Sequence, residues 1–200
     1  MTPNRLRAAL GHVGEALREP EAFALRWHRE GSPYHFWVFA ALALTSIAGT
    51  TAYGIIMGLL GGPESMLLGG LRCTAAAGIA WSLPLPALYI LNSLTGSRLR
   101  PSTTFLAALV TTSWGGLAML AAIPIAWFFT VALPYAPVVL AVHLLVFAVV
   151  GIAMVDVFSR VIASLEPERG RIPALWLILV AAIGGELLYA FGLFTLPGLA

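Results

Sequence analysis

Beyond residue 35 the chain alternates between long apolar stretches and short clusters of proline, glycine and charge. A helix needs about 20 apolar residues in a row to cross a bilayer, and five stretches approach or exceed that length. They predict helices over 36–60, 71–92, 104–130, 138–158 and 173–196. The breaks between them read "GGPESMLLGG", "SLTGSRLRPST", "VALPYAP" and "SRVIASLEPERGRI". Each break is short, so consecutive helices are expected to lie antiparallel as neighbours.

The first 33 residues have a different pattern. Thr2-Pro3 reads as an N-cap followed by proline at the first helical position. Leu6, Leu10, Val13 and Leu17 then recur at helical spacing, and Pro20 opens a second short helix with Phe23 and Trp27 on one face. Two placements suit such amphipathic helices: flat in the membrane interface, or packed on the ends of the spans. The expected organisation is a segment of residues 1–33 followed by a transmembrane domain of residues 34–200.

Composition supports the same class. Hydrophobic residues make up 60% of the chain and charged ones only 10%, against roughly 25% charged in an average soluble domain. The expected fold is all-α and polytopic, with five transmembrane helices behind an N-terminal amphipathic cytoplasmic segment. Orientation follows from arginine, the only basic residue type apart from histidine. Arg5, Arg7, Arg18, Arg26, Arg29, Arg98, Arg100, Arg160, Arg169 and Arg171 fall on one side of the five predicted spans, and Arg72 alone on the other. The positive-inside rule then puts the N-terminus in the cytoplasm and the C-terminus outside. Arginine without lysine also suggests a GC-rich bacterial genome, hence the inner membrane. The first 33 residues carry Arg and Glu throughout, so no signal peptide is expected. Glu15, Glu19, Glu21 and Glu30 offset the N-terminal arginines and leave little charge for electrostatic anchoring.

The same numbers exclude several functions. A net charge of +2 argues against a nucleic-acid partner. One cysteine, Cys73, leaves no internal disulfide and no cysteine-cluster metal site. There is no His-Glu-x-x-His zinc motif and no Gly-x-Ser-x-Gly elbow, and the deep acid Glu186 has no second carboxylate to form a protease dyad. Of the histidines, only His143 lies within a predicted span, so a bis-histidine haem site is not expected. Neither enzyme activity nor a cofactor is expected.

Ionisable residues inside a span are the candidates for function, because each needs a partner, a cavity or water. Glu186 sits in "ILVAAIGGELLYAFG", roughly 15 Å from the outer end of the fifth span at 1.5 Å per residue. His143 lies roughly 8 to 12 Å from the same side in the fourth. If those helices are antiparallel neighbours, the two side chains meet, with Arg72 reaching inward as a further partner. Such a pair either lines a transport path or binding cavity, or locks helices or subunits together.

Pro84 and Pro86 deprive the carbonyls of Ala80 and Ser82 of helical donors. Thr111, Thr112 and Ser113 are expected at comparable depth, with Ser46 nearby. A broken helix beside hydroxyls is a common way to build a midplane site, and also an ordinary kink. Gly54, Gly58 and Gly62 recur every four residues and allow close helix approach, within the fold or between copies. Gly115-Gly116 and Gly184-Gly185 are expected to act similarly. Asp156 and Arg160 are spaced for a helical ion pair. Trp37, Tyr89, Trp127, Tyr135 and Trp176 read as interface anchors.

Two stretches resemble a known family. "LREPEAFALRWHREGSPYHFW" resembles the amphipathic lead-in of bacterial Yip-domain (Ypt-interacting-protein) proteins, where a Pro and a Phe precede the first span. "LPALYILNSLTGSRLRPSTTFLAALVTTSWGGLAMLAAIPIAWFF" looks like that family's second and third spans, with a small-residue, basic cytoplasmic turn and a proline closing the third span. The resemblance covers about residues 15 to 195. The chain lacks the Asp-Leu-Tyr-Gly-Pro signature of the eukaryotic branch, so GTPase binding does not carry over. What the resemblance implies is a five-span scaffold or accessory subunit without catalysis, acting through membrane lipids, other membrane proteins or copies of itself. The alternative from the residues alone is a small homo-oligomeric channel or transporter built around the Glu186–His143 pair.

Overall fold

The computed structural model describes residues 3–30, 36–94, 96–169 and 174–193. Among these every regular element is helical: α1 (Pro3–Arg18), α2 (Pro20–Glu30), α3 (Phe36–Met57), α4 (Gly62–Ser82), α5 (Leu85–Leu94), α6 (Pro101–Ala132), α7 (Ala136–Leu165) and α8 (Ala174–Ala190). Four helical runs are long and apolar enough to cross a membrane: α3, the run Leu59–Leu94 containing α4 and α5, α6, and α7. The fifth predicted span is represented by α8, 17 residues long. That falls short of the usual crossing length of about 20. The ends of that predicted span, at 173 and 194–196, lie outside the described residues, as do Thr2 and Arg171. The same holds for the side chains of Arg5, Leu6, Arg7, Leu10, Arg169 and Trp176.

Helix boundaries depart from the apolar runs where packing extends them. The segment expected as a first loop, residues 61–70, is almost wholly helix. Its turn is compressed to a single 3-10 turn over Leu59–Gly61, closed by Gly61 N–H donating to Gly58 O at 3.1 Å. Gly62 has φ +84°, a left-handed conformation that suits glycine. Pro63 then stands in the first turn of α4, where its missing N–H costs nothing, and Glu64 complements the helix dipole there. α7 likewise continues through "SRVIASL", because Val161, Ile162 and Leu165 are buried there. At 30 residues it is about 45 Å long and overshoots a hydrocarbon core of about 30 Å. α6 also runs past Pro124, which lies inside the helix rather than closing it.

The two N-terminal helices cap one end of the bundle. α1 packs on α2 and α3, and α2 packs on α6 and α7. Val13, Ala16 and Phe23 are buried with Val38, Leu42, Leu106 and Val110, while Ala24 joins Phe158, Val161 and Ile162. Of the two placements open from sequence, the structure has the helices packed on the ends of the long helices. Ion pairs of Arg26 with Glu15, and of Arg160 with Glu21, tie α1 to α2 and α2 to α7.

Glycine sets the approach of the long helices. A Cβ on Gly49 would overlap the Gly116 carbonyl, and one on Gly116 would lie 2.7 Å from Ser46 Cα, so α3 and α6 cross backbone on backbone. A Cβ on Gly54 would overlap the Gly69 carbonyl and one on Gly58 the Ser65 carbonyl, which closes the α3–α4 hairpin. The glycine repeat therefore works inside the fold at Gly54 and Gly58. Gly62, the third member, is a turn residue with open space around its Cβ position.

Candidate functional site

His143 comes from α7 and is fully buried against α3. Tyr53, near the C-terminal end of α3, is also fully buried and brings its hydroxyl to 2.8 Å from His143 Nδ1. The rings meet edge to face with centroids 5.5 Å apart, and Phe147 packs on Tyr53 at the same distance. A neutral imidazole has one donor and one acceptor nitrogen. When the tyrosine hydroxyl donates to Nδ1, the proton stays on Nε2, and that atom is buried without a hydrogen-bond partner. Cys73 lies in the same buried cluster, with Met57, Ala76 and Met119.

The expected meeting of Glu186 with His143 does not occur. Glu186 is exposed on α8, whereas His143 is enclosed and spends Nδ1 on Tyr53. The premise of neighbouring helices fails for a specific reason. α7 packs on α6, but α8 docks on α4, where a Cβ on Gly184 would touch that of Ala80 at 3.6 Å. Among the described residues Glu186 has no hydrogen-bond or ion-pair partner. Arg72 is in the same position: exposed, unpaired and well inside α4, because that helix begins at Gly62.

The proline break is present but the hydroxyl cluster does not converge on it. α4 ends at Ser82 and α5 resumes at Leu85, with Leu83 N–H donating to Ile79 O at 2.9 Å and Leu88 N–H to Pro84 O at 2.8 Å. Pro84 is buried and Pro86 exposed. Thr111 and Thr112 donate to carbonyls of their own helix, Ala107 at 2.8 Å and Leu109 at 3.0 Å. Ser113 is buried with its hydroxyl unpartnered. Ser82, Thr112 and Ser46 instead line a cavity of about 970 Å³ bordered by α3 to α8 and open on one side.

Asp156 and Arg160 form the expected pair, Nε to Oδ2 at 2.9 Å, and Arg160 also reaches Glu21. Trp37, Trp127 and Tyr135 are exposed near helix ends, as interface anchors would be. Two residues with clear roles were not singled out by sequence. Tyr53 carried a weak signal, one hydroxyl among the several of its apolar run, with Thr45, Ser46, Thr50 and Thr51. Glu166 did not: its carboxylate accepts from Ser97 Oγ and from Arg98 N–H, both at 2.8 Å, and fastens the α5–α6 connection to the end of α7.

Among the described residues no three His, Cys, Asp or Glu side chains gather as a metal site. Comparison with protein-family models, curated proteins and solved structures gives no match to this chain.

Proposed function

We propose that the chain is a non-catalytic, Yip-like protein of the bacterial inner membrane, a scaffold or accessory subunit that binds other membrane proteins. On this reading α8 belongs to a fifth span, the α1–α2 end is cytoplasmic and the C-terminus is outside. The arginine distribution supports that orientation: Arg18, Arg26, Arg29, Arg98, Arg100 and Arg160 all belong to the end capped by α1 and α2, and Arg72 does not.

The observation that carries the proposal is Glu186, an exposed acid without a partner among the described residues, on an otherwise apolar helix. An acidic side chain facing lipid at mid-depth costs about 2.5–3.5 kcal/mol on insertion scales. A neighbouring subunit that donates hydrogen bonds or a positive charge removes that cost. Arg72, also exposed, lies on α4, the helix α8 packs against.

The test is purification of the full chain from native membranes in mild detergent, with stoichiometry read by mass spectrometry. The expected result is a defined partner in constant ratio, lost in Glu186→Leu and kept in Leu145→Ala, with unchanged melting of the chain itself. A partner retained by Glu186→Leu overturns the reading. So does pH-dependent ion flux in liposomes holding the chain alone, if Glu186→Gln abolishes it.

A further inference from the structure

The cavity between α3 and α8 has no place in the proposal above. Its lining is almost wholly apolar, with Leu85, Leu109, Met119, Phe147, Met154 and Leu188 among its walls, and no charged residue among the described ones lines it. Its threonines ask little of a ligand. Thr50 donates to Ser46 O at 2.9 Å and lies 3.3 Å from the Thr74 hydroxyl, which is itself 2.8 Å from Thr51. Water needs two to four polar partners to remain in such a space, and a polar solute would lose its hydration without compensation. Left empty, the walls would forgo their dispersion contacts.

Among the described residues, one side of the cavity is open to the surroundings of the bundle. α7 and α8 both line it, yet α7 is held by α6 and α8 by α4, and the two are not packed along each other. In a chain whose long helices are buried in a bilayer, that opening faces hydrocarbon. A methylene takes about as much room as a liquid water molecule, roughly 30 Å³. The cavity's 970 Å³ therefore admits about thirty methylenes, the content of two long acyl chains. We propose that this cavity binds the tails of one diacyl membrane lipid, admitted between α7 and α8.

Three glycines keep the space clear. Gly78, Gly151 and Gly185 line the cavity, and a Cβ built on any of them meets nothing within 4 Å. These glycines are not required for helix approach, unlike Gly49 or Gly54. Their effect is to leave room. The inference needs membrane embedding but not Glu186, so loss of the proposed protein partner leaves it standing.

The full chain would be reconstituted in phosphatidylcholine vesicles carrying a trace of diacyl phosphatidylcholine with a photoreactive diazirine in one tail. Adducts would be mapped by mass spectrometry. Expected are adducts on Trp81, Met119 and Met154, which line the cavity, well above those on the outward residues Leu145 and Val149. Entering the cavity moves a tail from one hydrocarbon surrounding to another, so no water-to-oil transfer energy drives binding and occupancy rests on the fit of tail to wall. The double variant Gly78→Leu/Gly151→Leu fills part of that space and should therefore lose most cavity adducts while the outward adducts persist. Adducts spread evenly around the perimeter of the wild-type chain overturn the proposal, whether or not the double variant folds. Labelling by a diazirine fatty acid but not by the diacyl probe overturns the assignment to a two-tailed lipid.

Discussion

Tyr53 and His143 are joined across the α3–α7 contact by a hydrogen bond of 2.8 Å, and neither side chain reaches the surface. Within a bundle held largely by dispersion, this is a contact with directional preference. It fixes the rotation of α7 relative to α3, because a turn of either helix would bury both polar groups unpaired.

Removing one partner should therefore cost more than removing both. Tyr53→Phe strands Nδ1 beside the already unpartnered Nε2 and is expected to cost about 1–3 kcal/mol. Tyr53→Phe combined with His143→Phe should recover part of that loss. Thermal unfolding in detergent measures both, and a double variant less stable than Tyr53→Phe would contradict the account.

The α3–α6 crossing predicts a sharp division among glycines. Gly49→Ala drives a methyl group into the Gly116 backbone, where neither helix can yield without separating. A loss of at least about 3 kcal/mol is expected. Gly151→Ala has free space and should gain up to about 1 kcal/mol from helix propensity. Equal effects of the two substitutions on the unfolding midpoint would show that the crossing is looser than described.

Glu166 holds the α5–α6 connection through Ser97 and the Arg98 amide. Glu166→Ala should raise the hydrogen-exchange rate at Arg98 and leave the core of α6 protected. With about 1–3 kcal/mol at stake, exchange there accelerates by roughly fivefold or more. Unchanged protection at Arg98 would remove the role assigned to this carboxylate.

Arg160 bridges Asp156 on its own helix and Glu21 on α2. These groups are partly exposed, so Arg160→Ala should cost no more than about 1 kcal/mol, and high salt should erase the difference. A salt-independent loss would mean that the side chain acts by packing instead.

How much was legible in sequence can be judged from particular residues. Asp156 and Arg160 met as expected because both lie on one helix, where spacing alone sets the distance. Gly54 and Gly58 were recognisable as approach points, but their partners on α4 were not. The first break is shorter than its sequence suggests because two of its four glycines, Gly69 and Gly70, are packing surface on a helix, whereas Gly61 and Gly62 do turn the chain. Nothing in the apolar pattern distinguishes those uses.

The chain by itself determined that it would form long apolar helices with arginine gathered toward one end, since both follow from local composition. A backbone in hydrocarbon must satisfy its hydrogen bonds internally, so an apolar run of sufficient length can only become helix. Only the tertiary structure decided which faces meet: that α8 docks on α4, that Tyr53 takes the imidazole, and that Glu186 points outward. Faces nearly uniform in hydrophobicity carry almost no record of their neighbours. Their pairing depends on fine differences in shape, set by glycine and alanine, which become visible only when the helices are in contact.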